Sequence, residues 1–223
     1  SMGGSANLRS GRSSPMAEFT WASAAGRYRG PDGRFVAEAT VRQGVDALVQ
    51  TSASRMAGLA SQYRAGEITA AQWLTAHCAE VKAVNVAAAV AAYGGREAMT
   101  PQRWGLVGSI VRREYAFSRQ MVADAMTGRV RLNGRLDARS AMYAASARQT
   151  YTAIQRREAY ERGSRYERNV LGAAEHCPDC VGQTGIGWVP MGTLSQPGTR
   201  RCRSNCACRL EYANQRPVES LAS

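Results

Sequence analysis

Five cysteines fall within the 32 residues from Cys177 to Cys208, in the order C-x2-C, a gap of 21 residues, then C-x3-C-x-C. The stretch around them is too short and too poor in large apolar side chains to hold together through a core alone, so metal binding is expected to supply much of its folding free energy. Two cysteine clusters separated by a loop of about 15–20 residues are what a tetrahedral structural zinc site needs, because each cluster supplies thiolates and the loop returns the chain to the metal. Pro178 and Asp179 make the turn that lets Cys177 and Cys180 face one point, and Cys206 and Cys208 fall on one side of an extended strand. The pattern therefore predicts one structural zinc ion held by four of Cys177, Cys180, Cys202, Cys206 and Cys208. It assigns Cys177, Cys180 and Cys208 as ligands, and Cys202 and Cys206 compete for the fourth place. His176, directly beside Cys177, reads as lying outside the ligand set or facing solvent.

Other uses of the thiols fit less well. A disulfide framework leaves an odd cysteine and needs an oxidising compartment, whereas the N-terminal residues carry no apolar core with a cleavage site and so point to a reducing one. A thioredoxin-like centre places its C-x-x-C at the start of a helix in a βαβ unit, but strand-like runs flank this one. Catalytic zinc keeps a position open for water, which an all-cysteine site does not.

Ahead of the module the hydrophobic period is that of a helix. Residues 1–36 read as a basic, extended N-terminal arm rich in Gly, Ser, Arg and Pro, in which Pro31-Asp32-Gly33 between Tyr28 and Phe35 suits a short hairpin. Residues 37–164 read as an α-helical body. Helix one carries Val41, Val45, Leu48, Val49, Met56, Leu59, Ala60 and Tyr63 at three- and four-residue intervals and ends near Gly66. Thr69 caps helix two, which Gly94-Gly95 stops; Thr100 and Pro101 open helix three, which runs to Gly128. Asp137 is expected to cap a fourth, with Met142, Tyr143, Ala147, Thr150, Tyr151 and Ile154 inward. Four long helices with short connections predict a mainly α, antiparallel bundle. Residues 165–213 form the small β-containing zinc-knuckle module, with strand-like "RYERNVLG", "GWVP" and "CRLEY", and 214–223 read as a tail.

The rest of the chain narrows the function. The net charge is +12, carried by a single lysine, Lys82, and 28 arginines. Arginine pairs bidentately with phosphate and carboxylate, so such a surface suits work beside nucleic acid or an acidic protein wall. No run of about 18 apolar residues occurs, "VNVAAAVAAY" being the nearest, so no membrane span is expected. His77 and Cys78 sit side by side in a helix, where their side chains diverge by about 100 degrees and form no nucleophile–base pair. Glu67, Glu80, Glu97, Glu114, Asp124 and Asp137 lie on separate helices without Glu-x-x-His repeats and read as solvated faces. Trp73 and Trp104 read as core anchors. Neither a P-loop nor a dinucleotide loop nor a nucleophile elbow is present.

The order of parts resembles the bacteriophage minor head proteins of the Mu F type, the head morphogenesis family. The matching residues are "ARSAMYAASARQTYTAIQRREAYERG", "EHCPDC", "GWVPMGTLSQPG" and "CRSNCACRLEY", in the order of the family's arginine-rich helix, C-P-x-C knuckle, Gly/Pro loop and terminal N-C-R-C-x-L-like strand. "GRYRGPDGRFV", "GEITAAQWL" and "MTPQRWGLVGSIVRREY" also look like those of a prophage-encoded subgroup, so the resemblance covers most of residues 26 to 213. Cys202 stands where many members have histidine, which favours Cys202 over Cys206 as a ligand, and Ala207 replaces the usual arginine. The resemblance implies a non-enzymatic virion protein of the phage head, found in the host cytoplasm during assembly. It would act with capsid or portal proteins in head assembly and in DNA packaging or ejection, and an oligomeric form is compatible with it. The alternative is a sequence-independent nucleic-acid-binding zinc protein that uses the same arginines on phosphates.

Overall fold

The computed structural model describes residues 19–203 and 206–217. It is mostly helical, with two small antiparallel sheets. No helix among the described residues is long and apolar enough to cross a membrane.

Caps and periodicity define the helices. α1 (Glu38–Arg64) buries Val41, Val45, Val49, Ser52, Met56 and Ala60 along one stripe. α2 (Ala70–Tyr93) opens on a capping box: Thr69 Oγ1 accepts from the Gln72 N–H at 3.2 Å, and Gln72 Oε1 accepts from the Thr69 N–H at 2.8 Å. Apart from Val86, every residue from Val84 to Tyr93 is buried, because α1, α3 and α5 all pack on α2 and its alanines let them come close. α3 (Pro101–Met126) starts at Thr100, whose hydroxyl accepts from the Arg103 N–H at 3.3 Å.

The expected fourth helix is two. α4 (Gly134–Met142) and α5 (Ser146–Glu161) are separated by a 3-10 turn over Tyr143–Ala145. The cap is Asn133, whose Oδ1 accepts from the Arg135 N–H at 3.0 Å, and not Asp137. Asp137 lies in the first turn, where it accepts from Arg64 Nε at 2.9 Å and Nη2 at 2.6 Å and ties α4 to α1. A 3-10 turn advances each residue by about 120 degrees instead of 100, so the inward stripe shifts across it. Met142 is consequently 48% exposed, while Ala147, Thr150, Tyr151 and Ile154 are buried as expected. Trp73 is a core residue, stacked on Tyr63, but Trp104 is only half-buried, with Arg96 over its ring.

The described part of the expected arm is folded. β1 (Thr20–Ala22), β2 (Arg27–Arg29) and β3 (Phe35–Val36) form an antiparallel meander in chain order. Residues 30–34 make the anticipated turn, with the Gly30 N–H on the Arg34 carbonyl at 2.9 Å. An extended arm leaves Tyr28 in water; here it is buried and its hydroxyl donates to the Ala92 carbonyl at 3.2 Å. Residues 1–18 of the arm and 218–223 of the tail lie outside the described residues.

Beyond α5 the second sheet has β4 (Tyr166–Val170) at its centre, flanked antiparallel by β5 (Val189–Pro190) and β6 (Arg209–Ala213). A helix, α6 (Pro178–Gly185), lies between β4 and β5 in the chain. Glu167 fastens this sheet to the body. It is fully buried, pairs with both Nε and Nη2 of Arg156 on α5, and accepts the Gly192 and Leu194 N–H groups at 3.0 Å each.

Candidate metal centre

Three short segments bring the five cysteines together. Cys177 is the N-cap of α6, and Pro178 takes the first helical position, where its fixed φ suits the helix and its missing N–H costs nothing. The C-x2-C therefore opens a short helix instead of lying between strands. The Cys180 N–H donates to the Cys177 carbonyl at 2.9 Å, which folds the two thiols onto one side. Cys202 sits in a turn whose approach is fixed by Asp179, the carboxylate of which accepts the Arg201 N–H at 3.1 Å. Cys206 and Cys208 precede β6 and are buried while Ala207 between them is exposed, the alternation of an extended chain. Gly172 makes the last approach possible, because a Cβ there would lie 2.2 Å from the Ala207 carbonyl oxygen.

Cys180 is the hub. Its Sγ, with no exposure, lies 3.5 Å from Cys177 Sγ, 3.5 Å from Cys202 Sγ and 3.8 Å from Cys206 Sγ. Cys177, Cys180 and Cys202 form one triple of sulfurs within 4.8 Å of one another, and Cys180, Cys206 and Cys208 form another. Four sulfurs at about 2.3 Å from one ion stand about 3.8 Å apart along the edges of the tetrahedron. The three spacings from Cys180 are near that edge length and far longer than a disulfide of about 2 Å; the cluster is compatible with a metal site, and its mutually close sulfurs among the described residues come in threes that share Cys180. All six cysteines are free.

The thiols differ in ease of ionisation. Burial pushes Cys177 up, but the backbone N–H groups of Cys180 and Cys202 and the thiols of the same residues outweigh it and bring it down to about 7. Cys206 is also lowered: burial opposes, but the N–H groups of Cys208 and Gly198 and the neighbouring thiols prevail. Cys208 is pushed up to about 12 by burial and by its contact with Cys180, and Cys202 is raised by burial and the three thiols around it. Crowding several thiols makes each further ionisation harder, which a cation among them would relieve.

His176 is beside the cluster and outside both triples. Its Nε2 donates to the Gly172 carbonyl at 2.8 Å, and its Nδ1 stands 3.8 Å from Cys208 Sγ. Cys78 stands apart on α2. His77 is a core residue, with Nδ1 on Ser140 Oγ at 3.2 Å. The carboxylates expected on solvated faces are in part ion-paired at helix seams: Glu80 meets Ser52 and Arg55, and Asp124 meets Arg129 and Arg139.

Two residues at the centre gave no signal in the sequence. Asn169 on β4 donates to the Cys180 carbonyl at 3.2 Å and to Thr184 Oγ1 at 2.7 Å. Arg200 is buried, with Nη1 on Asn169 Oδ1 at 2.8 Å and Nη2 on the Ser195 carbonyl at 2.6 Å. Its Nη1 also lies 3.7 Å from Cys180 Sγ. One arginine among 28 carries no mark of such a position, and Asn169 sits in a strand whose buried face is polar.

No family model matches this chain, and neither a curated protein nor a solved structure matches it.

Proposed function

We propose that the cysteine cluster holds one structural zinc ion through four thiolates, and that the chain is a non-enzymatic structural protein of a phage head. The observation that carries the metal reading is the convergence of two sulfur triples on Cys180, the residue they share. Cys177, Cys180 and Cys208 would be ligands, with Cys202 or Cys206 completing the set. Bound zinc supplies a cross-link between the start of α6 and the chain leading into β6, and binding free energy of that kind acts as folding free energy. The surrounding residues serve the same end: Asn169 orients α6, Asp179 holds the Cys202 turn, and Glu167 anchors the sheet to α5. Zinc is preferred over harder ions because the donors are thiols.

The head-protein reading rests on the order of parts, an arginine-rich helix followed by the "EHCPDC" and "CRSNCACRLEY" segments, and on a net charge of +12 suited to acidic partners. Its test is mass spectrometry of purified particles from a host that makes the protein, together with pull-down by the affinity-tagged chain. Recovery in particles at a few copies, with portal or capsid protein in the pull-down, supports it; absence from both refutes it.

One observation favours the nucleic-acid reading. On the meander, Arg27 and Arg29 place their guanidinium groups 5.2 and 4.3 Å from the ring centre of Phe35, itself 40% exposed. An exposed ring between arginines suits base stacking and phosphate contact. Salt-dependent DNA binding by the isolated protein, lost in Arg27→Ala/Arg29→Ala, would favour this reading over the first.

A further inference from the structure

A buried guanidinium is costly unless negative charge compensates it. Arg200 is only 4% exposed, and among the described residues it makes no ion pair with a carboxylate. Its hydrogen-bond partners are neutral: the Asn169 amide oxygen and the Ser195 carbonyl and hydroxyl. The remaining contact is Cys180 Sγ at 3.7 Å from Nη1, a distance suited to an N–H···S bond to thiolate. Cys180 is also the sulfur shared by both triples. The position is built, since Asn169 joins the two groups by accepting from Arg200 and donating to the carbonyl of Cys180.

We propose that Arg200 is the counter-ion of the metal–thiolate centre, a positioning residue that donates to the metal-bound sulfur of Cys180 and offsets the charge of the site. Four thiolates around a divalent cation carry a net charge of −2, and Arg200 reduces it within a region that excludes water. This rests on the metal reading above. The guanidinium also explains how the loop reaches the centre: Ser195 holds one edge of Arg200, while Gln196 Nε2 donates to the Gln149 carbonyl on α5 at 2.8 Å. Charge and loop docking are therefore separable by mutation.

The test uses the full chain loaded with Co2+ as a spectroscopic probe, and with Zn2+ in competition with a chromophoric chelator. Wild type, Arg200→Met, Arg200→Lys and Gln196→Ala are compared. Removing a ligand's outer partner typically weakens metal binding by about 10–100-fold, and that loss is expected for Arg200→Met. Its thiolate-to-cobalt charge-transfer band should also move to lower energy, because a nearby cation stabilises the sulfur electrons. Arg200→Lys keeps the charge and should recover part of both effects, and Gln196→Ala should leave the band in place. An Arg200→Met protein with wild-type affinity and band position overturns the proposal, as does a Gln196→Ala protein that matches its losses. A folded wild type that takes up neither ion refutes the metal reading itself.

Discussion

Trp21 donates its backbone N–H to the Gly94 carbonyl at 2.8 Å, which locks β1 to the end of α2. The two residues are in such close contact that a Cβ on Gly94 would lie 2.1 Å from the Cβ of Trp21, and Gly94 has φ +85°. Gly94→Ala therefore meets a clash and a left-handed backbone together. The expected outcome is a loss of about 2 kcal/mol or more in urea unfolding, with earlier proteolytic cleavage near the meander. A near-neutral Gly94→Ala would mean that the meander is not docked there.

Glu167 offers a second test. With no exposure, an arginine fork on one side and two backbone N–H groups on the other, it is a charge that cannot lose its partners cheaply. Replacing Arg156 by Met strands that carboxylate and should cost about 3–5 kcal/mol, read from chemical denaturation. Glu167→Gln should also destabilise, because an amide nitrogen then faces donors.

His77 predicts an acid sensitivity independent of any metal. Burial lowers its pKa from 6.5 to about 4, so the unfolded chain takes up the proton first as pH falls. The stability due to keeping the ring neutral is complete above pH 6.5 and is lost between 6.5 and about 4. The loss is at most roughly 3 kcal/mol. Urea midpoints measured at pH 7 and pH 4.5 should fall further in wild type than in His77→Gln. Parallel falls in both proteins would contradict the assignment.

The helices were readable in the sequence because their signals are local. Thr69, Thr100 and Gly94 mark ends by backbone chemistry that needs no tertiary context, and α1 presents a stripe that only a 3.6-residue period aligns. The break at Tyr143–Ala145 was not legible, since "AMYAASA" is as good a helix as its neighbours and no glycine or proline marks the turn. Asp137 is a good N-cap residue, and Asn133 upstream took the role because its helix begins earlier. Spacing suggested that the five cysteines come together, but it put Cys202 with Cys206 and Cys208, whereas its turn carries Cys202 to Cys177 and Cys180. Arg200 and Glu167 could not be found in the sequence, because a polar side chain is buried only where distant partners satisfy it, and those partners lie on other segments. β4 illustrates this: Glu167 and Asn169 face inward while Tyr166 and Val170 are half-buried.

The central claim is that the cysteines share one ion, and elemental analysis of the purified full chain tests it most directly. The measurement is moles of zinc per chain by mass spectrometry after native purification, with folding followed by circular dichroism, for wild type, Cys180→Ser and Cys78→Ser. The account predicts about one zinc per chain in wild type and Cys78→Ser, none retained in Cys180→Ser, and melting of the 165–213 segment on chelation. A wild-type protein that is fully folded and free of metal would contradict it.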